Sequence, residues 1–168
     1  MIFRYFYSKF ISIYKPLSNQ YFDALMSRFR CQYKGFVVAM KMAGRVFIQH
    51  VKEGPLCQMN FIADQTPHFD EIQYWTTFLN QDTPVFLGVE KLAQKTNQAV
   101  YFVKFVKIKR GFYEVIGEKL CDDASKLKPF EVTELHVRAL ERTIIEAPEY
   151  WLWTHRRWKY KRENVTIS

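Results

Sequence analysis

The residues of this chain best suited to chemistry lie near its end. From Pro148 to Arg162 the sequence runs Pro-Glu-Tyr-Trp-Leu-Trp-Thr-His-Arg-Arg-Trp-Lys-Tyr-Lys-Arg, placing three of the four tryptophans beside His155, Arg156, Arg157, Lys159, Lys161 and Arg162. Guanidinium forks suit phosphate or carboxylate oxygens, and the rigid indoles suit a core, a membrane interface or a nucleic-acid base. Residue types alone leave those three open. A second group is Tyr14-Lys15-Pro16-Leu17-Ser18-Asn19, followed by Asp23, Arg28 and Arg30. It sets a cation between a strand end and a helix start, where free backbone N–H groups and the helix dipole both favour an anion. The third is Asp64-Gln65 behind a hydrophobic run, a carboxylate able to orient a cation, a hydroxyl or an arginine. An Asx-type turn into Thr66-Pro67 would use the same residues for structure alone.

Local patterns predict the elements that must hold these groups. Phe10 to Tyr14 alternates as a strand, Pro16 stops it, and Ser18 or Asn19 can cap a helix from Gln20 to Gln32. Phe22, Leu25, Met26 and Phe29 fall at helical spacing and are expected to face a core, with Gly35 ending the helix. Phe36 to Met40 is a continuous apolar run, the mark of a strand covered on both faces. A helix from Met42 to Lys52, with Val46, Phe47 and Val51 inward, ends at Gly54-Pro55, and Leu56 to Ala63 reads as another strand. Strand, helix, strand favours parallel pairing, with ligands at the carboxyl ends.

Residues 66–83 are expected to form a long covering loop with a turn at Asn80-Gln81-Asp82, followed by a strand from Val85 to Gly88 and a helix from Glu90 to Thr96. Ala99 to Lys109 and Phe112 to Leu120 flank Arg110-Gly111, a clear hairpin signal. A two-residue loop would set Lys107 opposite Glu114 and Phe105 opposite Ile116. Val132 to Glu146 completes the set as a helix with Leu135, Leu140 and Ile144 inward. The fold class is therefore α/β: one domain over residues 1–168, with a mixed sheet, flanking helices and a C-terminal β-hairpin.

Composition narrows the partners. With 168 residues, 48% of them hydrophobic and 17% aromatic, the chain can bury a real core, which excludes a disordered or linker-like protein. A net charge of +8 points to an anionic partner. Cys31, Cys57 and Cys121 match neither a zinc site nor a disulfide framework, so a reducing compartment fits and no metal is expected. No window approaches about 18 uncharged apolar residues, so membrane contact is expected to be peripheral. Arg4, Lys9 and Lys15 interrupt the aromatic N-terminus, and no small-residue cleavage site follows it, which is not the pattern of a signal peptide.

Pro148 to Lys159 closely resembles the closing signature of the bacterial lipid A late acyltransferase family, also called the lysophospholipid acyltransferase family. Other blocks follow in the family's order. Tyr14 to Asn19, with Asp23, Arg28 and Arg30, is similar to its Tyr-Arg-Pro-Leu-Lys-Asn block; Ala63-Asp64-Gln65 and Pro84 to Gly88 match two more, and Glu90 to Ala93 with Thr96 a fourth. The chain has Lys15 where the family usually has Arg, which keeps the charge and loses the fork. The resemblance implies transfer of a fatty acyl group from acyl carrier protein, or another acyl thioester donor, to a hydroxyl of an anionic lipid acceptor. The implied location is the cytoplasmic face of the bacterial inner membrane, with no cofactor. Its implied substrate-binding residues are Lys15, Asn19, Asp23, Arg28, Arg30, Asp64, Gln65, His155, Arg156 and Arg157.

This superfamily takes the hydroxyl proton with a His oriented by an Asp or Glu five positions later. His136 and Glu141 have that spacing, but they follow all but the last of the family's blocks, whereas the family's dyad precedes its Tyr-Arg-Pro block; an exposed helix face is expected to carry them. His50, His68 and His155 have Pro55, Gln73 and Tyr160 at the fifth position. The chain thus resembles the C-terminal portion of an acyltransferase without its dyad, either a truncated or split frame paired with a separate N-terminal fragment, or a retained binding module. A nucleic-acid-binding module that stacks bases on Trp and pairs phosphates with Arg or Lys is the alternative from another class.

Overall fold

The computed structural model describes residues 9–14, 17–31, 35–54 and 57–164. They fall into two compact units, Met1–Phe61 and Ile62–Ser168. The first is a parallel three-stranded sheet in which β1 (Lys9–Tyr14) lies between β2 (Gly35–Ala39) and β3 (Cys57–Asn60). Phe10 and Ile11, consecutive and therefore on opposite faces, are both buried, so the central strand is covered on both sides as an apolar parallel strand requires. The chain leaves β1 through helix α1 (Gln20–Arg30) to one edge and returns through α2 (Met40–Glu53) to the other. In open α/β sheets such a reversal, here between β1 and β3, is where ligands tend to bind. Strand β3 is shorter than the expected Leu56 to Ala63.

Helix α1 starts where the sequence puts it, with the Asn19 side chain accepting from Tyr21 and Phe22 N–H, but it is rotated from the expected orientation. Phe22, Leu25 and Phe29 are exposed rather than packed; Asp23, Met26, Ser27 and Arg30 are the more covered residues. Two polar contacts explain the rotation. Asp23 accepts from the Leu17 N–H at 2.9 Å, and the Arg30 guanidinium lies 5.9 Å from the Tyr14 ring centroid, so two residues two turns apart tie that face to the β1 end. The helix is capped at Cys31, and Gly35 opens β2 rather than closing α1. In α2 the buried residues are Ala43 and Phe47, with Val46 and Val51 half-buried.

The expected loop over 66–83 is instead mostly a hairpin. Strands β4 (Tyr74–Phe78) and β5 (Gln81–Val85) pair antiparallel around Leu79-Asn80, and the strand expected from Val85 to Gly88 ends at Val85. Leu79 and Asn80 both have positive φ, and a leucine does not advertise such a turn. Tertiary contacts hold it: Glu141 accepts from the Leu79 N–H at 2.6 Å, and Arg138 donates to the Thr77 carbonyl.

Helix α3 (Gly88–Thr96) follows, ending at Asn97 in the left-handed region. Gly88 leaves room for the Phe86 ring, since a Cβ there would come within 2.2 Å of it. Strands β6 (Val100–Lys109) and β7 (Phe112–Cys121) form the expected second hairpin, with Gly111 at φ 80. Its register differs by one: Lys107 faces Tyr113, Val106 faces Glu114 and Phe105 faces Val115. A bulge at Ile108 absorbs the extra residue.

Helix α4 (Glu131–Glu146) buries Val132, Thr133, Val137, Ala139 and Ile144; Leu140 packs half-buried against the core, whereas Leu135 turns outward, contrary to expectation. Phe78, Val85, Val137 and Ile144 form one core with Trp151 and Trp158 of the tail packed on it, and Ala93, Ala124 and Val132 form another. All the elements from β4 onward lie in the second unit.

Candidate functional site

In the first unit Asn19, Asp23 and Arg30 lie by the carboxyl end of β1 and the connection that follows it. Lys15 lies outside the described residues. Asn19 and Asp23 are engaged with backbone N–H groups of the β1–α1 connection, so they shape the turn. Arg28 is exposed. Arg30, half-buried over Tyr14, has a buried Nη1 with no hydrogen-bond partner among the described residues. That leaves Arg30 a guanidinium N–H free to donate to an anionic oxygen.

In the second unit the tail is stitched to the residues after Asp64. His155 Nε2 accepts from the Thr66 N–H at 3.1 Å, which leaves its proton on Nδ1 when the ring is neutral. The Thr66 hydroxyl contacts the carbonyls of Arg156 and Arg157. Arg157 is 4% exposed: its Nη2 donates to the Pro84 carbonyl at 2.8 Å, and Nε has no partner among the described residues. Burial pulls its pKa down to about 10, with the Asp64 carboxylate acting in the opposite sense. The guanidinium expected to face a ligand therefore points inward, under Phe78. Arg156 and Gln65 are exposed, and Asp64 is half-buried.

Trp151 and Trp158 dock against Phe78, and Trp158 Nε1 donates to the buried Thr83 hydroxyl at 2.8 Å; Trp153 stays exposed. Beyond Trp158 an open groove of about 540 Å³ runs along Tyr160, Lys161 and Arg162 opposite Gln81 and Asp82.

The histidines have separate settings. His50 Nδ1 meets the Val46 carbonyl at 3.1 Å. His68 contacts Asp70 at 3.2 Å, but with side chains 72% and 81% exposed, water competes for both groups. His136 is not on an exposed face as expected; it is half-buried, with its ring 5.9 Å from that of Phe102. Glu141 turns elsewhere, to the Leu79 N–H and to Arg138 at 2.5 Å, so the five-residue spacing produces no dyad contact.

Burial lowers the His136 pKa below 6.5, with Asp64 raising it and Arg157 lowering it to smaller extents. In this range the unfolded chain binds a proton that the folded chain refuses, so stability falls as pH drops through 6.5 and levels off below the folded-state pKa. Urea midpoints at pH 7 and pH 5 are expected to differ less in His136→Gln than in the wild type. Equal differences would remove His136 as the source.

Sequence reasoning missed Glu90, a buried carboxylate of α3. Its Oε1 accepts from the Phe130 N–H at 2.5 Å, and its Oε2 accepts from the Thr133 N–H at 2.8 Å and the Thr133 hydroxyl at 2.7 Å. One signal was available: α4 begins at Phe130 with no side chain able to cap it. A helix start without a local cap asks for one from elsewhere in the fold.

The family described as bacterial lipid A biosynthesis acyltransferase matches residues 1–160. The chain belongs to that family. No curated relative matches it. In this acyltransferase-family chain the tail signature has a structural component, since Trp151, Arg157 and Trp158 fasten it to β4 and β5. Among its described residues, no helix is long and apolar enough to cross a membrane, and no cluster of three or more His, Cys, Asp or Glu is placed to hold a metal ion.

Proposed function

We propose that this chain is the acceptor-gripping part of an acyltransferase that moves a fatty acyl group from acyl carrier protein, or another acyl thioester, to a hydroxyl of an anionic lipid. It works peripherally at the cytoplasmic face of the bacterial inner membrane, and alone it does not catalyse the transfer. In that reaction the hydroxyl oxygen bonds to the thioester carbonyl carbon, the C–S bond breaks, a base takes the hydroxyl proton and the thiol leaves; no metal or organic cofactor is needed.

The observation that carries the reading is the family match over residues 1–160 together with a Glu141 that is engaged away from His136. The base would have to come from residues outside Met1–Ser168. Arg30, with its unpartnered nitrogen, supports an anionic acceptor. Lys15 and Arg28 in the first unit and, separately, Asp64, Gln65 and Arg156 in the second are the remaining proposed acceptor contacts. Asn19, Asp23, His155 and Arg157 position the segments that carry them.

The purified chain, incubated with acyl carrier protein bearing a labelled acyl group and a lipid acceptor, is expected to give transfer at the level of the protein-free control. Turnover that disappears in His136→Ala would place the base in α4 and overturn this reading.

A further inference from the structure

The distal part of the β6–β7 ribbon has exposed apolar side chains on both of its faces. By register Phe105, Tyr113 and Val115 share one face, Phe112 and Ile116 share the other, and Ile108 sits at the bulge. Phe105, Ile108, Phe112 and Tyr113 are 59–63% exposed. Monomeric soluble proteins rarely leave so much contiguous apolar surface in water. The same twelve residues, 105–116, carry Lys107, Lys109 and Arg110 against the single carboxylate of Glu114. The Lys109 ammonium lies 4.4 Å from the Phe112 ring centroid, an arrangement that keeps charge beside an aromatic.

We propose that residues 105–116 form a finger that inserts into the headgroup region of an anionic bilayer. The aromatic rings settle at the boundary of headgroups and acyl chains, and the three tip cations pair with lipid phosphates. The two-sided exposure favours lipid over a protein partner. A second protein, including another copy of this chain, covers one face or one edge of a ribbon, whereas a bilayer surrounds a tip from every side. A nucleic acid needs cations spread along a track beside the stacked bases, and here they are gathered at the turn. The inference rests on the peripheral-membrane part of the function proposed above and names the element responsible.

Flotation of the full chain with phosphatidylcholine vesicles, with and without phosphatidylglycerol, tests it. The variants are an apolar triple, Ile108→Ser with Phe112→Ser and Tyr113→Ser, and a charge triple, Lys107→Gln with Lys109→Gln and Arg110→Gln. All six positions are exposed, and unchanged circular dichroism and thermal midpoint show that the fold survives. The wild type is expected to float with anionic vesicles, with each triple lowering the partition coefficient at least tenfold and added salt weakening the wild type. Wild-type flotation that both triples retain would overturn the ribbon assignment alone. Absence of flotation with either vesicle would remove the membrane part of the proposed function as well. A change in oligomeric state or in single-strand binding in the triples, with vesicle binding intact, would assign the ribbon to a second copy or to nucleic acid instead.

Discussion

Glu90→Ala is expected to lower the unfolding free energy by about 3 kcal/mol, enough to threaten folding of a domain with ordinary stability. Glu90 is 4% exposed and takes three hydrogen bonds from the first turn of α4. Truncation leaves the Thr133 N–H and hydroxyl buried without an acceptor, takes the partner from the part-buried Phe130 N–H bond and removes a negative charge from a helix N-terminus. The loss extends past one helix end. Phe130 stacks on Tyr74 at 4.4 Å, and Tyr74 donates to Glu134 at 2.9 Å, so the cap also fixes α4 against β4. Glu90→Gln keeps an acceptor oxygen and is expected to lose roughly half as much. Urea unfolding of both variants measures this, and a Glu90→Ala midpoint equal to wild type would show that α4 is capped in some other way.

The second large effect concerns the tail. Arg157→Ala is expected to cost about 2–4 kcal/mol, because it leaves the Pro84 carbonyl without its donor and opens space beneath Phe78. Arg156→Ala, one residue away and exposed, is expected to stay within about 0.5 kcal/mol of wild type. A spectroscopic readout accompanies the first change: Trp151 and Trp158 pack against Phe78, so loosening the tail shifts tryptophan emission to the red. Should Arg157→Ala unfold at the wild-type midpoint, the guanidinium is dispensable for docking and becomes available as a ligand contact.

The adjacent arginines illustrate where reading the chain works and where it stops. Both carry the charge that suggests an anion, and nothing local distinguishes them. What separates them is the distant Pro84 carbonyl, which meets one guanidinium in the interior. The same holds for His136, whose half-buried setting beside Phe102 belongs to packing between α4 and β6. Helix α1 makes the point in reverse: its apolar spacing predicted the inward face, and contacts of Asp23 and Arg30 with the end of β1 rotated that face away.

Sequence by itself determined the elements whose signals are local. Parallel β1, β2 and β3 joined by two helices, the Asn19 cap, the end of α3 at Thr96 and the Arg110-Gly111 hairpin all follow from apolar runs, caps and turn residues that act within a few positions. The ordered blocks from Tyr14 to the tail were enough to point to the acyltransferase family that matches residues 1–160. Only the tertiary structure decided the Leu79-Asn80 turn, the one-residue shift at Ile108, the cap supplied by Glu90 and the inward course of Arg157. Each of these depends on burial, on a bulge or on a hydrogen bond formed across tens of residues, and the free energy of such contacts exists only once the chain has brought the partners together.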